Sequence, residues 1–170
     1  MRLFLAIPLS DALKDSVLGL QSAFRAAGVR GRYTRPENLH LTLAFIGEFG
    51  DPDLVLEAME TVEFEPFSIE MDKLGRFDDL WWTGFGESAE LNALVRRLRR
   101  ALAEAGIPYD RKKFSPHVTI LRRADIPARD RLPDSELAPE AMTVERFCLY
   151  NSTRGKGGMI YTELGSAEAL

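Results

Sequence analysis

The chain has 170 residues, 45% of them hydrophobic and 28% charged, with a formal net charge of −4; that composition argues against disorder and against a generic nucleic-acid coat protein. One Cys and two His exclude an internal disulfide, a Cys-based zinc site and a three-His metal site. No apolar run approaches the roughly 18 residues of a membrane helix, and a single Cys without an export signal leads to the expectation of a cytoplasmic protein.

Arg2 to Pro8 reads as a buried first strand. Ser10 caps a helix from about Asp11 to Ala27, with Leu13, Val17, Leu20 and Phe24 on one face and Gly28 as its stop. Arg30 to Asn38 reads as a basic connection containing Pro36. Leu39 to Ile46 reads as a strand closed by Gly47. Asp51 and Pro52 open a second helix that ends near Glu60. Phe67 to Leu74 alternates as a strand, and Leu80 to Phe85 is another. Ser88 caps a third helix to about Ala105, ended by Gly106 and Pro108. A second basic connection leads to a strand at His117 to Leu121. Asp125 to Glu140 reads as a loop. Met142 to Tyr150 and Met159 to Leu164 read as two last strands. Between them Asn151 to Gly158 is a hairpin loop or a mobile flap.

Charge is unevenly placed. Pro36 to Asp72 holds ten acids and no Lys or Arg, whereas Arg96 to Arg123 holds nine basic residues against Glu104 and Asp110. Arg96 to Arg100 fit the solvated face of a helix. The basic residues nearer the two His are candidates for a local anion site.

The order of elements has an internal echo. A strand, a long helix, a basic Pro-bearing connection and a strand beginning with His occur twice. Two similar lobes around one central cleft are expected, of mixed α and β structure with mostly antiparallel strands.

Both His fall in the same pattern: His40-Leu41-Thr42-Leu43 and His117-Val118-Thr119-Ile120. Thr is scarce, eight residues in 170, so its place two positions after each His is not a matter of composition. Side chains at i and i+2 share one face of a strand. His40 and Thr42 therefore project together, as do His117 and Thr119, while the intervening aliphatics anchor each strand in a core. Two imidazoles suit displacement at a phosphodiester. One, neutral, deprotonates the attacking oxygen; the other, protonated, supplies the leaving oxygen. The Thr hydroxyls can hold non-bridging phosphoryl oxygens. No cofactor and no metal is expected. A lone His in a strand is usually a hydrogen-bonded structural residue; two in matching motifs, using every His in the chain, point to catalysis.

The chain resembles the bacterial and archaeal RNA 2',3'-cyclic phosphodiesterases, once called 2'-5' RNA ligases, of the two-histidine phosphoesterase superfamily. The resemblance extends from Met1–Ile7 through Pro36–Gly47, Leu74–Phe77 and Trp82–Gly84 to Phe114–Arg122. It implies an α+β, bilobal two-histidine phosphoesterase fold: two pseudo-symmetric lobes of mostly antiparallel sheet with outer helices, forming a single two-lobed domain over residues 1–170. It implies hydrolysis of a terminal RNA 2',3'-cyclic phosphate to a 2'-phosphomonoester, with His40 as proton donor to the departing 3' oxygen and His117 as the base that activates water. Thr42 and Thr119 would bind phosphoryl oxygens, joined by Arg122, five residues after the second His. The implied partners are RNA ends or nucleotides bearing a 2',3'-cyclic phosphate, with no obligatory protein partner, so a monomer is expected, and no membrane. Ligation, the reverse reaction, is opposed by the mass action of water.

Arg122 conflicts with strand geometry. An offset of five places it opposite His117 in a regular strand, so it reaches a phosphate only if the strand bulges, twists or ends near Leu121. Tyr33, Trp81 and Trp82 are open as base-stacking residues, one of the two Trp being expected in the core. Other readings of the whole are a phosphodiesterase for another cyclic phosphate or a 2'-5' linked oligonucleotide, and a non-catalytic nucleotide- or RNA-end-binding module.

Overall fold

Three side-chain caps set the helices. In the computed structural model, which describes residues 1–125 and 137–170, the Ser10 hydroxyl accepts the Leu13 N–H at 3.2 Å and opens α1, Asp11–Ala26. The Asp51 carboxylate accepts the Leu54 N–H at 3.1 Å and opens α2, Pro52–Glu60, with Pro52 where a missing N–H costs nothing. The Ser88 hydroxyl accepts the Leu91 N–H at 3.1 Å and opens α3, Ala89–Glu104. Each long helix buries its apolar stripe, Leu13, Val17, Leu20 and Phe24 in α1 and Leu91, Leu94, Val95, Leu98 and Leu102 in α3.

The strands are β1 (Arg2–Pro8), β2 (Arg30–Tyr33), β3 (His40–Glu48), β4 (Phe67–Phe77), β5 (Leu80–Phe85), β6 (His117–Asp125), β7 (Glu140–Val144), β8 (Arg146–Gly155) and β9 (Gly158–Glu168). They form two antiparallel sheets, in the orders β3-β1-β8-β9 and β2-β6-β5-β4-β7. The expected echo is visible in those orders. β1, α1 and β3 of the first half correspond to β5, α3 and β6 of the second; β2 stands between α1 and β3 where the second half has no described strand.

The two halves interlock. α1 leaves β1 of the first sheet yet packs on β6 and β7 of the second, where Phe24 meets Trp81 edge-on at 5.1 Å. α3 leaves β5 of the second sheet and packs against β3 of the first as well as β4. α2 lies on α3 and β9. The buried side chains of both sheets consequently form one continuous core, and apolar burial in each half depends on an element from the other. No helix among the described residues is long and apolar enough to cross a membrane.

Several boundaries differ from the sequence reading. Arg30–Tyr33 is an edge strand rather than part of a connection, followed by a 3-10 turn at Pro36–Asn38. Its exposed residues lack apolar alternation, and it is a strand because its backbone pairs with β6. Met142 to Tyr150 is two strands, not one. β7 pairs with β4 in the second sheet, the chain crosses at Glu145, and β8 pairs with β1 in the first. The segment Asn151–Gly158 is mostly strand: β8 and β9 run as a hairpin paired to Gly155 and Gly158. Of the loop expected over Asp125–Glu140, the ends belong to β6 and β7, and residues 126–136 lie outside the described residues. Trp81 is the core tryptophan, 8% exposed.

Candidate active site

Each His opens a strand. His40 begins β3 opposite Pro8, and His117 begins β6 opposite Gly84. In both, the backbone carbonyl two residues earlier anchors the ring. His40 Nδ1 lies 2.6 Å from the Asn38 oxygen and His117 Nδ1 lies 2.7 Å from the Ser115 oxygen. A carbonyl can only accept, so Nδ1 carries a hydrogen in each ring and Nε2 is the nitrogen left for chemistry. His40 Nε2 is 2.9 Å from the Thr42 hydroxyl.

The i, i+2 spacing works as expected, and a shared irregularity follows it. In the first sheet Ala6 pairs with Thr42 but Leu5 pairs with Ala44, leaving Leu43 as an extra residue. In the second, Trp82 pairs with Thr119 but Trp81 pairs with Leu121, leaving Ile120 as the extra residue. A bulge of this kind reverses the alternation beyond it. Position i+5 therefore returns to the face of position i. That resolves the conflict over Arg122, which points into the same cleft as His117 and Thr119. The matching position in the other half is Phe45, which also lines the cleft.

The second bulge is held from outside its own sheet. The Ile120 carbonyl accepts from Gln21 Nε2 of α1 at 3.0 Å and from the Thr34 N–H at 3.1 Å. The same Gln21 nitrogen donates to the Thr34 carbonyl at 2.9 Å, and the Thr34 hydroxyl donates to the Thr119 carbonyl at 2.8 Å. Gln21 is one of the few buried polar side chains, 1% exposed. Just beyond Arg122, Arg123 sits at φ 53, a left-handed conformation, while a Cβ on Gly31 of β2 would come within 2.8 Å of the Arg122 carbonyl. The backbone on both sides of Arg122 is thus closely constrained.

The five residues singled out from sequence, His40, Thr42, His117, Thr119 and Arg122, all line one cavity of about 410 Å³ between the sheets. Among the described residues no acidic side chain lines it, although the chain as a whole is net negative. The β8–β9 hairpin forms one wall with Ser152, Arg154, Met159 and Tyr161. It is tied down beside His40, because the Met159 carbonyl accepts from Asn38 Nδ2 at 2.9 Å and from Arg35 Nη2 at 2.5 Å.

The two imidazoles sit in different surroundings. His40 lies 5.0 Å from the Phe4 ring and 5.2 Å, edge-on, from Tyr161. Burial pushes its pKa below the ordinary value of 6.5, opposed by the Asn38 carbonyl; the positive charge at His117 and Arg122 adds to the lowering. His117 is exposed, with Trp82 at 6.5 Å. Sequence reasoning missed Phe45 and Tyr161 as cleft residues. For Phe45 the signal was present, since it stands five residues after the first His as Arg122 stands five after the second.

The family model of the 2'-5' RNA ligase superfamily matches residues 11–156. An RNA 2',3'-cyclic phosphodiesterase of Archaeoglobus fulgidus is 33% identical, over 96% of this chain and 98% of that protein. One of Thermotoga maritima is 30% identical over 96% of this chain and 93% of its own length. Among solved structures, Escherichia coli LigT in its apo form matches with a TM-score of 0.82 at 26% identity, covering 99% of this chain and 96% of that one. The same protein complexed with 3'-AMP matches with a TM-score of 0.80 at 26% identity, with the same coverage of both chains. This chain belongs to the 2'-5' RNA ligase superfamily.

Proposed function

We propose that the cleft hydrolyses the terminal 2',3'-cyclic phosphate of RNA to a 2'-phosphomonoester. The observation that carries the reading is the pair of imidazoles, each opening a strand, each fixed through Nδ1 to the carbonyl two residues before it, and each facing the same cavity. The relatives named for this activity support it.

In this reading His117 Nε2 takes a proton from water as the water oxygen attacks phosphorus. The bond from phosphorus to the 3' oxygen breaks, and His40 gives its Nε2 proton to that oxygen. One P–O bond forms and one breaks, leaving a 2'-phosphate and a 3'-hydroxyl; His117 ends with the proton taken from water and His40 without the one it gave, and exchange with solvent restores both. Thr42, Thr119 and Arg122 hold the non-bridging oxygens. Phe45 and Tyr161 offer ring faces on which a nucleobase can stack. His40 must be protonated to act, against its lowered pKa, and the anionic phosphate supplies the opposite charge that raises it. The enzyme works in this reading as a single two-lobed domain, a cytoplasmic monomer acting on RNA ends.

The same lowered pKa favours a second reading in which the roles are exchanged and neutral His40 is the base. A product-resolved assay on a short RNA bearing the cyclic phosphate, with chelator present, tests the activity. His40→Ala and His117→Ala are each expected to lose about 10²- to 10⁴-fold in kcat; turnover like wild type in both would sink the mechanism. A substrate with sulfur in place of the 3' bridging oxygen separates the roles. Sulfur leaves without a proton, so that substrate rescues the variant lacking the acid. Rescue of His40→Ala supports the first assignment and rescue of His117→Ala the exchanged one.

A further inference from the structure

A second cavity, of about 570 Å³, opens directly beside the first and shares Arg122 and Arg154 with it as a common wall. Beyond that wall stand Arg32 and Arg35, and among the described residues no acidic side chain lines the space. Arg35 is committed: it donates to the Met159 carbonyl and lies 3.5 Å from Glu37. Among the described residues, none of Arg32, Arg122 and Arg154 forms an ion pair. Arg32 and Arg122 are moreover direct cross-strand partners in the β2–β6 pairing, so their side chains leave the same face of the sheet. Like charges placed directly opposite destabilise a sheet pair. An anion between the two guanidinium groups removes that cost, and each carries five N–H donors in a fork suited to phosphate.

We infer that this second cavity binds the phosphate on the 5' side of the terminal nucleotide, with Arg32 as its distinguishing ligand and Arg122 shared between the two anions. The inference rests on the proposed phosphodiesterase reading. It deepens that reading by specifying the substrate class: a terminal nucleotide that carries a 5' phosphate, as every polynucleotide end does, in preference to a bare nucleoside cyclic phosphate. The phosphate can come from a free 5'-monophosphate or from the diester to the preceding nucleotide, and the substrates below separate the two.

Three substrates test it: a nucleoside 2',3'-cyclic phosphate with a 5'-hydroxyl, the same with a 5'-phosphate, and a dinucleotide ending in the cyclic phosphate. Wild type is expected to favour the second and third about tenfold in kcat/KM over the first, through KM. Arg32→Ala brings that ratio towards one and Arg32→Lys restores part of it. The preference should also weaken with salt, with a log-log slope about 0.7 smaller in Arg32→Ala. An unchanged ratio in both Arg32→Ala and Arg32→Glu overturns the inference. A gain confined to the dinucleotide and kept by Arg32→Ala also overturns it, since the base or sugar is then being read. Calorimetric binding of a nucleoside 2',5'-bisphosphate against the 2'-phosphate gives the same comparison without turnover. Failure of all hydrolysis with an Arg32-dependent gain in binding sinks the phosphodiesterase reading and keeps the subsite; hydrolysis with no Arg32-dependent gain does the reverse.

Discussion

The two halves of the cleft use one backbone device and furnish it differently. Both His open a strand, both are anchored by the carbonyl two residues earlier, and both are followed by a bulge that brings position i+5 back to the cleft. At that position one half presents Phe45 and the other Arg122. Around the first imidazole stand Phe4 and Tyr161; beside the second are the open rim and the arginine pair of β2 and β6. Repetition supplies two imidazoles, each at the first residue of its strand and each lining the same cavity. The unmatched side chains surround one imidazole with aromatic rings and set an arginine pair beside the other, which suits an asymmetric ligand with a base at one end and a phosphate at the other.

The cationic side offers the sharpest break of this comparison. Arg122→Ala should lower kcat/KM by about 100-fold, the scale for removing one preorganised donor from a developing negative charge. Arg122→Lys should recover only part, because an ammonium cannot reproduce the guanidinium fork. Arg123→Ala, one residue on in β6 and exposed at a left-handed φ, should stay within about twofold of wild type. Equal losses at the two positions, in kinetics on the dinucleotide, would show a diffuse basic surface rather than an aimed residue.

That aim was only partly legible in the sequence. The His-x-Thr pairs were legible because same-face projection at i and i+2 depends on local strand geometry alone. Arg122 was nominated by family resemblance while strand alternation argued against it. The bulge that reconciles them depends on Gln21, 99 residues from Ile120, and on Thr34, 85 residues from Thr119. No periodicity within β6 encodes partners that distant. The edge strand β2 escaped notice for a related reason, since Arg30-Gly31-Arg32-Tyr33 has no apolar face to alternate. The run from Met142 to Tyr150 looked like one strand because its apolar residues continue through the sheet change at Glu145.

Gln21 is the next place to press. Gln21→Met keeps length and apolar bulk but leaves the Thr34 carbonyl without its donor and the Ile120 carbonyl with one partner in place of two. Urea denaturation should show a loss of about 1–3 kcal/mol, the cost of a buried polar group deprived of its bond. If the bulge aims Arg122, kcat/KM should fall about tenfold as well, while combining Gln21→Met with Arg122→Ala adds little to the loss from Arg122→Ala alone. Full additivity would mean that Gln21 supports the core and not the site.

The smallest expected effect concerns the apolar side. His40 should titrate below 6.5 in the free protein, followed through its imidazole resonances by NMR. Burial is the first cause of the lowering and the charge at His117 a later one. Tyr161→Ala, which opens the ring to water, should therefore raise the His40 pKa more than His117→Ala does. The sign of the linked stability follows. Between about pH 6.5 and the lower folded value, the unfolded chain binds a proton that folded His40 does not. Stability should thus decline as pH falls through that window and gain nothing from His40 above it. A phosphate in the cleft reverses the balance, so binding of a nucleoside 2'-phosphate near pH 6.5 should take up protons and move the His40 resonance to higher pKa. Should His40 titrate at or above 6.5 in the free protein, the aromatic wall does not distinguish the two imidazoles, and the asymmetry of the cleft rests on Arg122 and Phe45 alone.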